Sequence, residues 1–199
     1  MKLMIALLAL LSSLSAFAIE TGAVAPDFTL KGAGTKDGEV KLSSYKGKVV
    51  VLEWLNHGCP FVRKHYDSGN MQKLQSKYVA KNVIWLSIIS SAPGKQGHVT
   101  TDVAREEMVK NKSGATTVLL DETGKVGQLY GAKTTPHMFI INKEGVLAYQ
   151  GAIDDKADTD QASIAGAKNY VAEALDLILE NKKVSQATTK AYGCGVKYQ

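Results

Sequence analysis

The run Val49-Val50-Val51-Leu52-Glu53-Trp54-Leu55 is nearly all apolar, is β-branched at its start, and ends four residues before Cys59-Pro60. Such a run reads as a strand buried on both faces of a sheet, and therefore as a central one. Pro60 suits the first position of a following helix, where its missing N–H costs nothing. The junction thus sets a thiol at a helix N-terminus, where unpaired N–H groups and the helix dipole favour the thiolate. Three positions on, where a second cysteine would complete a dithiol motif, stands Val62. The chain's other cysteine, Cys194, lies in Gly193-Cys194-Gly195 near the C-terminus.

The N-terminus bears on where these thiols work. Lys2 precedes an apolar stretch from Leu3 to Leu11, and Ala16-Phe17-Ala18 has the small-x-small pattern of a signal-peptidase site. Residues 1–18 are expected to be a cleaved signal peptide. The stretch is too short to span a bilayer, no later segment is long and apolar enough to do so, and stable membrane insertion after cleavage is not expected. An exported protein, in a bacterial periplasm or a similar oxidising place, permits its cysteines to pair. About 180 residues then remain, enough for one domain with a sizeable core. The net charge of +5 is scattered, without the clusters of arginine and aromatics that a nucleic-acid surface carries. No nucleic-acid partner is expected, and the sequence leaves the oligomeric state open.

Along the remaining chain, Ala25 to Leu30 and Val40 to Leu42 flank glycine-rich turn material (Gly32, Gly34, Gly38), which suggests a short hairpin. Ser43 to Gly47 reads as a turn. Helical spacing covers Pro60 to Lys81, broken near Asp67-Ser68-Gly69-Asn70, and a second buried strand spans Val83 to Ile89. A helix is expected over Thr101–Lys110 with Thr100 or Thr101 as its N-cap, then a short strand at Val118–Leu120. Met138–Asn142 and Val146–Gln150 form a hairpin around Lys143-Glu144-Gly145. The apolar stripe Ala167, Tyr170, Val171, Ala174, Leu177, Ile178 predicts a helix over 163–181. Residues 182–199 show no periodicity and read as a tail. The pattern is α/β, a central mixed sheet flanked by helices.

Two further features bear on the thiol. Glu53 interrupts the central apolar strand six residues before Cys59, which predicts a carboxylate in a low-dielectric place; an edge position or a lysine partner is the plainer alternative. Thr134-Thr135-Pro136-His137 leads into a strand, and its proline is compatible with a cis turn.

On these residues the chain resembles the redoxin branch of the thioredoxin fold, the alkyl hydroperoxide reductase and thiol-specific antioxidant-like group, over nearly all of residues 22–181. Ala25-Pro26-Asp27-Phe28-Thr29-Leu30 and Leu42-Ser43-Ser44-Tyr45-Lys46-Gly47-Lys48 are similar to the opening of that branch, and Asn56 to Val62 stands where thioredoxins carry Cys-x-x-Cys. Within the branch it resembles exported peroxiredoxin-like proteins that keep a single cysteine at the first motif position and end in Tyr-Gly-Cys, here Tyr192-Gly193-Cys194. The resemblance implies a domain over 19–181, a C-terminal tail over 182–199, a proton-carrying role for Glu53, and a cis-proline loop at Thr135-Pro136 facing the cysteine. True peroxiredoxins place a threonine and a proline before the cysteine, where this chain has Asn56 and Leu52; a peroxidase is the less favoured reading.

The expected activity is thiol–disulfide exchange on protein or small-molecule thiols and disulfides, with Cys59 as nucleophile and Cys194 as resolver. Three other readings stay open: a permanent Cys59–Cys194 bridge, a monothiol served by an external reductant, and a metal-binding module using His57, Cys59 and His137. The last lacks Cys-x-x-x-Cys or His-x-x-His spacing, and neither metal nor other cofactor is expected. The histidines have plainer readings, with His65 on a helix face and His137 satisfied by backbone. Asp154 and Asp155 read as the start of a solvated loop.

Overall fold

The computed structural model describes residues 19–33 and 38–199. The expected signal peptide, residues 1–18, and Gly34 of the expected turn lie outside the described residues.

The Val50–Trp54 strand, β3, is buried at every position, as its composition requires. It lies within a seven-stranded mixed sheet, parallel to β4 (Ile84–Ile89) on one side and antiparallel to β7 (His137–Ile141) on the other. Beyond β4 come β5 (Thr117–Leu120), β1 (Thr29–Ala33) and β2 (Glu39–Lys41), and beyond β7 comes β8 (Leu147–Gly151). Parallel neighbours need crossovers. Between β3 and β4 these are α1 (Pro60–Asp67) and α2 (Asn70–Val79), and between β4 and β5 the helix α3 (Thr101–Lys110). Gly69, at φ 74°, separates α1 from α2, and Thr100 caps α3 by accepting the Val103 N–H.

The two-residue period of β3 sorts its side chains between two cores. Val51 packs with Val62 and Tyr66 of α1, Met71 and Leu74 of α2, and Leu175 of α5 (Tyr170–Leu179). Leu52 and Trp54 face the opposite way, against Phe28, Phe139 and, from α4 (Lys125–Tyr130), Val126 and Tyr130. Burying each aliphatic side chain contributes about 1.5–3 kcal/mol relative to exposure. Glu53 shares the Val51 side, which aims its carboxylate at α1 and α2.

Several elements differ from expectation. The 163–181 helix begins only at Tyr170, because Asn169 has extended backbone and caps α5 by accepting the Ala172 N–H; residues Gln161–Gly166 form a 3-10 helix instead. Leu42–Tyr45 is a 3-10 helix rather than a simple turn. The short α4 lies between Gly124 and Gly131, both left-handed, and has too few turns to show a periodic stripe.

The greatest difference concerns residues 182–199. They are tied down along their length: Gln150 donates its N–H to the Ala187 carbonyl and accepts from the Thr189 N–H, and Val184 is buried. Cys194–Gly195 then form a strand, β9, paired antiparallel with β6 (Thr134–Thr135). The Ala92 N–H donates to the Lys197 carbonyl, and the Tyr198 hydroxyl donates to the Ala132 carbonyl at 2.7 Å. No amphipathic period announces such a segment, because backbone bonds and a few anchors hold it rather than one apolar face. Among the described residues, no helix is long and apolar enough to cross a membrane.

Candidate active site

Cys59 is the N-cap of α1, with extended backbone and Pro60 following. Its side chain is wholly buried. Its sulfur lies 3.1 Å from the Thr135 carbonyl oxygen and 2.7 Å from the sulfur of Cys194. Both cysteines are free thiols in this structure, Cys59 buried and Cys194 partly exposed. Two sulfurs 135 residues apart in sequence therefore meet at one helix N-terminus. The Thr135–Pro136 peptide bond is cis, and Thr135 stands directly opposite Cys194 in the β6–β9 pair. Gly193 reaches φ 138° beside this pair, where a Cβ would fall onto the Thr135 carbonyl, so only glycine fits. Val62, in the place of a second motif cysteine, is fully buried core.

The two thiols are driven apart in acidity. Burial pushes the Cys59 thiol up, but the Cys194 side chain and the backbone N–H groups of Val62 and Cys194 outweigh it and hold the thiol below the ordinary range. Cys194 is pushed up to about 11 by its own burial and by its contact with Cys59. At neutral pH Cys59 is the better thiolate, with Cys194 as its protonated neighbour.

Glu53 is fully buried and is not at an edge. Its Oε2 accepts from the Trp85 indole at 2.7 Å, the Ser87 hydroxyl at 2.9 Å and the Gln75 amide at 3.1 Å; its Oε1 accepts from the Tyr66 hydroxyl at 2.9 Å. Burial raises its pKa above the usual carboxylate value despite these four bonds. None of the four reaches a sulfur, so Glu53 touches the thiol pair only through the helix that carries Tyr66.

Polar residues to which the sequence assigned no role in the site hold the cysteine loop and the returning tail. Asn56 accepts the Gly58 N–H at 2.8 Å and donates to the Gln96 carbonyl at 3.3 Å, while Gln96 donates back to the Gly58 carbonyl at 3.0 Å. His65 lies on a face of α1, as expected, and is fully buried there. Asn70 Nδ2 lies 2.9 Å from its Nδ1, which makes Nδ1 the acceptor and leaves the proton on Nε2, 3.1 Å from the Tyr192 hydroxyl. Tyr192 in turn donates to Asp154 at 2.5 Å. Asp154, expected in a solvated loop, is buried and also accepts the Lys156 N–H. Beside it the buried Lys64 ammonium donates to the Lys156 carbonyl at 2.7 Å and lies 3.1 Å from an Asp158 carboxylate oxygen. Tyr192 stood out in the sequence only as part of the Tyr-Gly-Cys ending, and Lys64 not at all.

His57 packs edge-on against Tyr66 and lies 4.0 Å from Glu107; His137 accepts the Lys133 N–H, as expected of a histidine satisfied by backbone. The two do not converge with Cys59: among the described residues no group of three or more His, Cys, Asp or Glu side chains is arranged to hold a metal ion.

A sheet of this order, a thiol at the N-terminus of the first crossover helix and a facing cis-proline loop define a thioredoxin-fold protein. The redoxin family model matches residues 20–168, and the chain belongs to the redoxin family. It is 28% identical over 127 residues to the thiol-disulfide oxidoreductase ResA of Bacillus thuringiensis subsp. konkukian (strain 97-27); the match covers 64% of this chain and 66% of that relative, just under two thirds of its length. Among solved structures, a thiol:disulfide interchange protein DsbE homologue from Chlorobium tepidum is 29% identical with a TM-score of 0.56, over 79% of this chain and 99% of that one. A hypothetical protein from Sinorhizobium meliloti 1021 shares the fold more completely, with a TM-score of 0.76 at 24% identity over 92% of this chain and 97% of that one.

Proposed function

We propose that the chain is an exported thiol–disulfide oxidoreductase whose redox couple is Cys59 with Cys194. The approach of the two sulfurs to 2.7 Å carries this reading. A second thiol within contact distance supports a resolving role for Cys194, although Val62 removes the usual neighbour. The separation in acidity supports exchange, because a disulfide opens most readily when it expels the sulfur that is more stable as thiolate. Export of the chain, with residues 1–18 removed as a leader, would place the couple where disulfides persist. Residues 182–199 then belong to the working unit rather than to a dispensable tail. The substrates are protein or small-molecule thiols and disulfides.

The test is the reduction potential of the couple, read by alkylation and mass spectrometry in glutathione buffers. A value near about −200 mV is expected; one below about −300 mV would make the bridge a permanent staple.

A further inference from the structure

Which sulfur a partner meets follows from what covers each of them. Cys59 is wholly enclosed, with Thr135 on one side and the strand bearing Cys194 on another. The loop Asn56 to Gly58 that leads into it is closed by Gln96, which bonds both Asn56 and Gly58. Cys194 keeps part of its surface in solvent. The covering strand is pinned on both flanks: Tyr192 by Asp154 and His65, Tyr198 by the Ala132 carbonyl, and Lys197 by the Ala92 N–H. A partner able to reach Cys59 directly must first strip these contacts away, whereas Cys194 already borders solvent.

We propose that partner thiols enter the oxidised pair at Cys194, and that Cys59 is the inner sulfur, reached only through Cys194. The inference rests on the Cys59–Cys194 couple proposed above. It reverses the order expected from sequence, in which Cys59 makes the first contact. In the reductive half of the cycle a partner thiol loses its proton to solvent and its thiolate attacks Cys194 Sγ. A partner–Cys194 bond forms, the Cys194–Cys59 bond breaks, and Cys59 leaves as thiolate. A second thiolate of the partner then attacks the partner sulfur of this mixed disulfide, and Cys194 leaves and is protonated from solvent. The partner dithiol loses two electrons and the protein pair gains them. Cys59, the more acidic of the two thiols, is the suitable leaving group for the first step.

The experiment takes the full chain oxidised by excess oxidised glutathione, adds a short burst of isotopically labelled glutathione, quenches in acid, alkylates, and maps the labelled adduct by mass spectrometry. Adduct on Cys194 with alkylated Cys59 is expected, in at least about tenfold excess over the reverse. Adduct mainly on Cys59 would overturn the proposal while leaving the couple intact. Absence of any Cys59–Cys194 bridge in the starting protein would remove the couple and the entry point with it. Because the mixed disulfide is short-lived, single-cysteine variants give a second readout. With each rate divided by the thiolate fraction that its own pH profile gives, Cys194 in Cys59→Ser should react with an aromatic disulfide at least about tenfold faster than Cys59 in Cys194→Ser; equal rates per thiolate, or a faster Cys59, would overturn the proposal.

Discussion

The Tyr192 hydroxyl lies 3.1 Å from Nε2 of His65, joining a residue two positions before Cys194 to one six positions after Cys59. With Asn70 at one end and Asp154 at the other, the chain of hydrogen bonds fixes the tail against the helix that carries the first thiol. Tyr192→Phe keeps the ring and its contact with Phe61 but removes the hydroxyl. It leaves a buried carboxylate and imidazole each short of a partner, at a cost of about 1–3 kcal/mol. To the extent that this loosens the tail rather than the whole domain, the Cys59–Cys194 disulfide loses stability relative to the dithiol. Its potential should then rise by roughly 20–60 mV, at about 30 mV per 1.4 kcal/mol. Measurement in glutathione buffers beside urea unfolding separates the two effects.

Glu53 offers a different contrast, because all four of its partners donate to it. In Glu53→Gln the new amide oxygen can replace Oε2, and the hydroxyl of Tyr66 can turn to accept, so the protein should fold with a stability change under about 2 kcal/mol. If Glu53 moves protons to and from the thiols through this network, exchange in stopped-flow assays at pH 7 should fall by about 100-fold. An unchanged rate would make Glu53 a structural organiser of Trp85, Ser87 and Tyr66 alone.

What the sequence disclosed and what it hid divide along physical lines. The seven-residue run at 49–55 announced β3 because a doubly covered strand must be apolar throughout. Glu53 was conspicuous because it broke that rule, and Cys59 because Pro60 follows it. The meeting of Cys59 with Cys194 was visible only as a possibility, since a strand of two residues needs no pattern; backbone pairing with Thr134 and Thr135 and the space allowed by Gly193 create it. Asp154 was misplaced for a related reason. It reads as the start of a solvated loop on its own segment, and the returning tail meets it there through Tyr192.

Acidification should unfold the protein sooner than its carboxylates alone would. Burial holds His57, His65 and His137 down at about 4 from an ordinary 6.5. The unfolded chain therefore takes up protons first, and the stability these groups contribute, fully present above about pH 6.5, is lost as pH falls towards 4. Glu53 works in the opposite sense: burial makes its charged form costly and raises its pKa, and its protonation on acidification recovers some stability. In His57→Gln, which removes one histidine of the three, the slope of unfolding free energy between pH 6 and 5 should flatten by about one proton, or roughly 1.4 kcal/mol per pH unit. Urea titrations at half-unit pH intervals give the slope directly, and an unaltered slope would mean that His57 is protonated in the native state.

Gly193 and Gly195 flank Cys194 alike in sequence and differently in space, which turns them into a matched test of the tail's role as a cover. A Cβ at residue 193 would collide with the Thr135 carbonyl, and a φ of 138° is strained for any L side chain; a Cβ at residue 195 meets nothing within 4 Å. Gly193→Ala should cost about 1–3 kcal/mol, concentrated in the β6–β9 pair, whereas Gly195→Ala should leave that pair as it is. Every 1.4 kcal/mol spent on holding the strand raises the population of the open form about tenfold. Alkylation of Cys59 in the folded, reduced protein should therefore accelerate by about tenfold or more in Gly193→Ala and stay near the parent rate in Gly195→Ala. Equal rates in all three proteins would show that Cys59 is reached by a route that does not pass through β9. That result would separate the cover from the couple, since the Cys59–Cys194 bond can form whether or not the strand also guards the thiol.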